Sequence, residues 1–286
     1  MSQQNKNQDQ NDQPLQEEKL TSLQLQTQRM SKDGSTKLKS KKEVHLVIQG
    51  KGGVGKTLVS SLLAQFYTSQ NRNVICIDTD PVNQSFKDIE KLNVKTVHLF
   101  KENQNHIDYN SLDKMLSEIV ENPATYIIDN GAASFQPMMT YFITDGAIEI
   151  LLENDYIVVL HLIIATGQEL AMTMTGTENI ISSMNSEDML STILWLNEKN
   201  GSFTDYDDNE FEDSPFYQEI SNKINGLIYL QQMPEAQEIV FKEMLKNKLT
   251  FEEAQQSDDF LLVQKSRLKK IQKSIFEQID NAIIGI

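Results

Sequence analysis

Val44-His45-Leu46-Val47-Ile48-Gln49-Gly50-Lys51-Gly52-Gly53-Val54-Gly55-Lys56-Thr57 decides how the rest of the chain is read. Val44 to Ile48 has the length and apolar content of a buried strand. A glycine-rich turn follows, and then a helical stretch from Thr57 to Gln70. The block Gly50 to Thr57 fits G-x-x-x-x-G-K-[ST]. Residues without a Cβ let backbone N–H groups turn inward around the oxygens of an anion. The start of the next helix adds free N–H groups and the positive end of its dipole. Gly52, Gly53, Val54, Gly55, Lys56, Thr57 and Leu58 are therefore the expected phosphate-contacting run. Lys56 sets an ammonium against the β- and γ-phosphates, and the Thr57 hydroxyl is a hard oxygen suited to Mg²⁺. A glycine turn without a ligand is the plain alternative. It does not explain why a strand stands before the turn and a helix after it, as phosphate binding requires.

A phosphate loop also needs carboxylates near the metal. In open α/β sheets the place to look is the carboxyl end of strands. Two apolar runs end that way: Val74-Ile75-Cys76-Ile77-Asp78, running into Thr79-Asp80-Pro81, and Tyr126-Ile127-Ile128-Asp129, running into Asn130-Gly131. Asp129 fits the role of holding Mg²⁺ directly or through water. Either aspartate alone could be a loop cap.

Further strands are expected at Tyr156–Ile163, Thr192–Leu196 and Gly226–Leu230. Helices are expected at 110–120, 167–184 and 235–246. Strand alternating with helix implies an α/β fold, a mostly parallel sheet with helices on both faces. Residues 200–215, acidic and carrying Gly and Pro, are expected to form a loop.

Composition bounds the rest. The 286 residues carry a formal net charge of −15 and are 39% hydrophobic, enough for one sizeable core. Residues 1–43 are rich in Gln, Asn, Asp, Lys and Ser and show no apolar period, so a disordered tail is expected before a domain at 44–286. The tail ends in a basic run, Lys37, Lys39, Lys41 and Lys42, either solvated or a tether for nucleic acid or a partner. The single cysteine, Cys76, excludes an intramolecular disulfide and is expected to be a small buried hydrophobe. His45, His98, His106 and His161 are scattered and form no zinc pattern. Without an apolar start, and with the longest apolar stretch (Tyr156–Ala165) too short for a bilayer, a cytoplasmic protein is expected.

Lys51-Gly52-Gly53-Val54-Gly55-Lys56-Thr57, with its second lysine, resembles the deviant Walker A motif of ParA/MinD-like ATPases. Asp78-x-Asp80-Pro81 resembles that family's switch I, and Ile127-Ile128-Asp129 its Walker B. Ile77 to Asn83, His45 to Lys51 and Ile128 to Gly131 are similar to the TraL-type proteins of plasmid conjugation systems. The resemblance implies a slow, Mg²⁺-dependent ATPase that forms an ATP-dependent homodimer. Lys51 would reach the phosphates of the partner subunit, Asp80 would place the attacking water, and Asp78 would support the magnesium shell. Asn197 would contact adenine. Asn197-Glu198-Lys199-Asn200 departs from the Asn-Lys-x-Asp pattern of guanine binders. The implied partner is a conjugation or secretion machinery protein. An ATP-dependent scaffold, or a membrane- or pole-positioning protein with little hydrolysis, is the second reading.

Two family properties meet resistance in this sequence. Relatives bind DNA through surface Lys and Arg, but residues 1–43 hold eight Lys and Arg against six Asp and Glu, so the remainder is more acidic than the whole. MinD-like members use a C-terminal amphipathic helix to sit peripherally on the inner membrane. Here Leu268, Ile271, Ile275, Ile279 and Ile283 form one helical stripe, which either packs on the sheet or lies on a membrane surface.

Overall fold

The structure is a computed structural model that describes residues 42–80, 85–101, 106–184, 190–204, 209–284 and 286, all within the unit Ser40–Ile286. The tail expected over 1–43 lies outside the described residues up to position 41. Its last two residues belong to the fold. Lys42 Nζ donates to the Asn154 carbonyl at 3.0 Å, and Glu43 opens the first strand.

Among the described residues seven strands form one sheet: β1 (Glu43–Ile48), β2 (Val74–Asp78), β3 (Lys95–Thr96), β4 (Thr125–Asp129), β5 (Ile157–Ala165), β6 (Ser191–Asn197) and β7 (Gly226–Leu230). Their order is β3-β2-β4-β1-β5-β6-β7, and every pairing is parallel. The helices are α1 (Lys56–Ser69), α2 (Tyr109–Glu121), α3 (Phe135–Met139), α4 (Ala147–Glu153), α5 (Leu170–Ser183), α6 (Pro215–Ile220), α7 (Glu235–Lys246), α8 (Phe251–Gln256) and α9 (Leu262–Ile283). Of the loop expected over 200–215, residues 205–208 lie outside the described residues, and Phe211–Asp213 form a helical turn. At its end α6 starts on Pro215, where Ser214 Oγ accepts the Tyr217 N–H.

Side chains alternate across a strand, so each strand feeds two cores. Val44, Leu46 and Ile48 of β1 face Leu112, Met115 and Ile119 of α2 and Ile180 and Ile181 of α5. Val47 faces the other way, toward Val59, Leu62 and Leu63 of α1 and the inner stripe of α9. With both faces covered, strands become continuous apolar runs, which is why they were visible in the sequence. Each fully buried Leu or Ile contributes about 1.5–3 kcal/mol.

The α9 stripe resolves one open expectation. Leu268, Ile271, Ile275 and Ile279 are at most 4% exposed and lie in the core over β7, α7, α8 and α1. The apolar face that a membrane-surface helix would need is already covered by the domain itself. Among the described residues, no helix is long and apolar enough to cross a membrane. α9 also finishes the sheet. β7 is an edge strand, and Gln278 accepts the Tyr229 N–H at 2.9 Å and donates to the Tyr229 carbonyl at 3.1 Å.

Candidate nucleotide-binding site

β1 delivers the chain to the glycine-rich turn, and Gln49 fixes the handover. Its amide nitrogen donates to the carbonyls of Ile163 (2.8 Å) and Thr173 (3.2 Å), and its oxygen accepts the Gly50 N–H at 2.9 Å. Gly53 and Gly55 take φ of 76° and 107°, where an L side chain is strained. Gly55 then caps α1, and the first helical bond is Val59 N–H to the Gly55 carbonyl at 3.0 Å. The N–H groups of Lys56, Thr57 and Leu58 are left without helical partners. No acidic residue stands in that first turn and no side chain caps it, so the end of α1 is open to an anion.

Lys56 Nζ donates to the Lys51 carbonyl at 2.9 Å, across the mouth of the turn. Burial lowers its pKa, while the charges of Asp129 and Asp80 raise it. The Leu58 side chain is half-buried against the α1-side core, which leaves its backbone N–H as the part free at the helix start. Lys51 is half-buried at the start of the turn.

Asp129 ties the end of β4 to the first turn of α1. Its carboxylate accepts from Thr57 Oγ1 at 2.7 Å and from Ser60 Oγ at 3.1 Å, and Ser85 Oγ lies 2.9 Å from Thr57 Oγ1. Burial pushes its pKa up to about 7, and the nearby Asp78 charge pushes the same way. The hydroxyls of Thr57 and Ser60 and the Lys56 ammonium pull it down. Asp78 is raised by burial and accepts the backbone N–H groups of Asp80 (2.9 Å) and Lys87 (3.3 Å). Thr79 ties the two strand ends together, its N–H donating to the Asp129 carbonyl at 3.0 Å. Gly131 lets Asp80 approach, because a Cβ there would meet Asp80 Cα at 2.7 Å.

Asn197 stands at the end of β6, against the loop. Its amide nitrogen donates to the Val54 carbonyl at 2.9 Å, and its oxygen accepts the Lys199 N–H at 3.3 Å. The structure thus brings together Lys51, the run from Gly52 to Leu58, Asp78, Asp80, Asp129 and Asn197. It adds Gln49, Ser60, Ser85 and Lys199, which the sequence reading missed. Ser60 was within reach of it, since three residues after Thr57 is the same helix face.

A model of the CobQ/CobB/MinD/ParA nucleotide binding domain matches residues 45–251. The chain belongs to this family. Two TraL proteins of Escherichia coli are each 30% identical over 246 residues, which span 85% of this chain and 99% of theirs. MinD of Aquifex aeolicus aligns with 81% of this chain and 97% of its own (14% identity, TM-score 0.45). A putative plasmid partition protein of Borrelia burgdorferi, solved with AMPPNP, aligns with 85% of this chain and all of its own (15% identity, TM-score 0.42). Membership gives the matched glycine turn a meaning, that of a nucleotide-binding domain.

The donors suit a hard cation. Among the described residues no three His, Cys, Asp or Glu converge to cage a metal. Mg²⁺ takes one or two protein oxygens and completes its shell with water and phosphate. Thr57 Oγ1 and the Asp129 carboxylate are such a pair, and a carboxylate with its pKa pushed up by burial is one that a cation would favour in its charged form.

Proposed function

We propose that this protein binds ATP with Mg²⁺, dimerises on it and hydrolyses it slowly, as a switch that serves conjugative plasmid DNA transfer or its positioning. The observation that carries the reading is the open N-terminus of α1, with Lys56 in place and the Thr57–Asp129 pair beside it. Its service in conjugation is supported by the identity to TraL along nearly all of that protein's length.

Thr57 and Asp129 would hold the metal, with Asp78 behind them, and a bound Mg²⁺ would neutralise charge on the transferred phosphoryl group. Lys56 holds the β- and γ-phosphates, and the N–H groups from Gly52 to Leu58 bind their oxygens. Asp80 places the water for in-line attack. No covalent step is involved, and catalysis is charge stabilisation plus water placement. Lys51 completes the site from the partner subunit, so turnover depends on association. A conjugation or secretion protein is the partner that would read the dimer, in the cytoplasm or at the inner membrane face. DNA contact by the acidic folded part is not supported, and any such contact falls to the basic end of the tail.

The test is the mass in solution with ATP and Mg²⁺, with ADP, and without nucleotide, for wild type and Lys56→Ala. A dimer formed only with ATP and lost in Lys56→Ala is expected. A monomer under all three conditions overturns the switch and the trans role of Lys51.

A further inference from the structure

Two residues at the end of β6 hold the phosphate loop by its carbonyls. Asn197 Nδ2 donates to the Val54 carbonyl at 2.9 Å, and Lys199 Nζ donates to the Gly53 carbonyl at 2.5 Å. The Lys199 N–H donates back to Asn197 Oδ1 at 3.3 Å, which fixes the orientation of the amide. Asn197 is 5% exposed, and a Cβ on Gly55 would stand 2.7 Å from its amide nitrogen. The side chain therefore approaches the loop as closely as only a glycine allows.

In a trans peptide the carbonyl of one residue and the N–H of the next point in opposite directions. Donors that hold the carbonyls of Gly53 and Val54 on one side turn the N–H groups of Val54 and Gly55 to the other. Gly53 and Gly55, at φ of 76° and 107°, have many other conformations open to them. A loop of glycines binds an anion well only if its N–H groups are aimed before the anion arrives.

We infer that Asn197 and Lys199 are positioning residues, which hold the phosphate loop in its anion-receiving form and so set affinity for the polyphosphate rather than for the base. The inference rests on the nucleotide reading above and gives Asn197 a different task from adenine contact. One donor and one acceptor of its amide are engaged in this work.

The experiment separates base from phosphate. Binding of Mg-ATP and of Mg-tripolyphosphate, which has no base, is measured by calorimetry for the full chain and for Asn197→Ala, Lys199→Met and Lys199→Arg. Melting curves confirm that each variant is folded. Lys199 is exposed, so Lys199→Met carries the test if the buried Asn197→Ala fails to fold. The expected result is that Asn197→Ala and Lys199→Met each weaken both ligands by the same factor, roughly three- to tenfold for one lost hydrogen bond. Lys199→Arg keeps most of the affinity. Weakening confined to ATP makes Asn197 a base contact and overturns the inference, as does unchanged binding of both ligands. A wild-type protein that binds neither ligand overturns the nucleotide reading itself, and this inference with it.

Discussion

Nδ1 of His45 and Nε2 of His161 lie 2.9 Å apart, with both rings fully buried between the sheet and α1. The pair is the middle of a line with one direction. The indole N–H of Trp195 can only donate, and it donates to His161 Nδ1 at 2.9 Å. The His161 proton is then on Nε2 and goes to His45 Nδ1. The His45 proton is on its own Nε2 and goes to Glu43 at 3.2 Å, where Arg72 holds the same carboxylate at 2.8 Å. Nitrogen-15 NMR is expected to show both imidazoles neutral and protonated at Nε2. Trp195→Phe leaves His161 Nδ1 without its donor and is expected to destabilise the fold by about 1–3 kcal/mol in denaturant unfolding. A second tautomer on either ring contradicts the assignment.

The same groups set a pH dependence. Burial lowers the pKa of both histidines, that of His161 strongly. Below about 6.5 the unfolded chain takes up protons that the folded rings refuse, so stability from this pair falls with acidification, by up to about 1.4 kcal/mol per pH unit and ring. Burial raises the Glu43 pKa, but His45 and Arg72 outweigh it and hold the group at about 2, so its contribution is lost between about 4.5 and 2. Asp129 runs the other way. With its pKa pushed up to about 7, stability is lost as pH rises from about 4 toward 7.

Asp129→Asn separates the two trends. Without nucleotide it is expected to melt at a higher temperature than wild type at pH 8, a gain of up to about 4 kcal/mol from removing a buried charge. Its stability is then expected to fall more steeply than that of wild type from pH 6.5 to 4.5, because Asp129 no longer opposes the histidines and only Asp78, also raised by burial, still does. Binding of Mg-ATP is expected to be lost. A variant less stable than wild type at pH 8 would mean that the hydroxyls of Thr57 and Ser60 need the charge more than burial resists it.

Asp80→Ala is expected to abolish phosphate release while ATP still drives dimerisation. The charge of Asp80 acts on Lys56, yet its backbone N–H is held by the Asp78 carboxylate, a contact the substitution leaves in place. Phosphate release and mass in solution, measured on one preparation, decide it. Retained turnover removes Asp80 from water placement.

Gln278→Ala removes both hydrogen bonds to the Tyr229 backbone at the β7 edge. Unfolding is expected to be easier by about 1–2 kcal/mol. Hydrogen exchange should accelerate at the Tyr229 amide with little change in β1. Equal acceleration in both strands would show that α9 and the sheet open as one unit.

The parts legible in the sequence share a cause. β2, β4 and β7 are apolar runs bounded by turns, and the expected and observed limits of Val74–Asp78 and Gly226–Leu230 coincide. β3 escaped because Lys95 and Thr96 are polar and only two residues long. α3 and α4 pack around a single π turn, Thr140–Thr144, which blurs the helical period. The glycine turn could be seen because its chemistry is contiguous in the chain, and Asp78 and Asp129 because each ends an apolar strand run. Lys199 and the histidine line could not, since each acts across a gap of more than thirty residues that only the folded sheet closes.

β1 stands at the middle of the sheet, with β4, β2 and β3 on one side and β5, β6 and β7 on the other. The aspartates come from the first side and Asn197 with Lys199 from the second. Genetics should register that division. If ATP drives the proposed pairing, a change at Asp80 in a cell with one normal and one altered copy is expected to give a subunit that still binds and pairs, poisons mixed dimers and behaves as dominant. A change at Lys199 is expected to give a subunit that binds nucleotide more weakly and enters the proposed dimer less often, and so to behave as recessive. Two classes of allele from one gene would trace the line of β1 through the molecule.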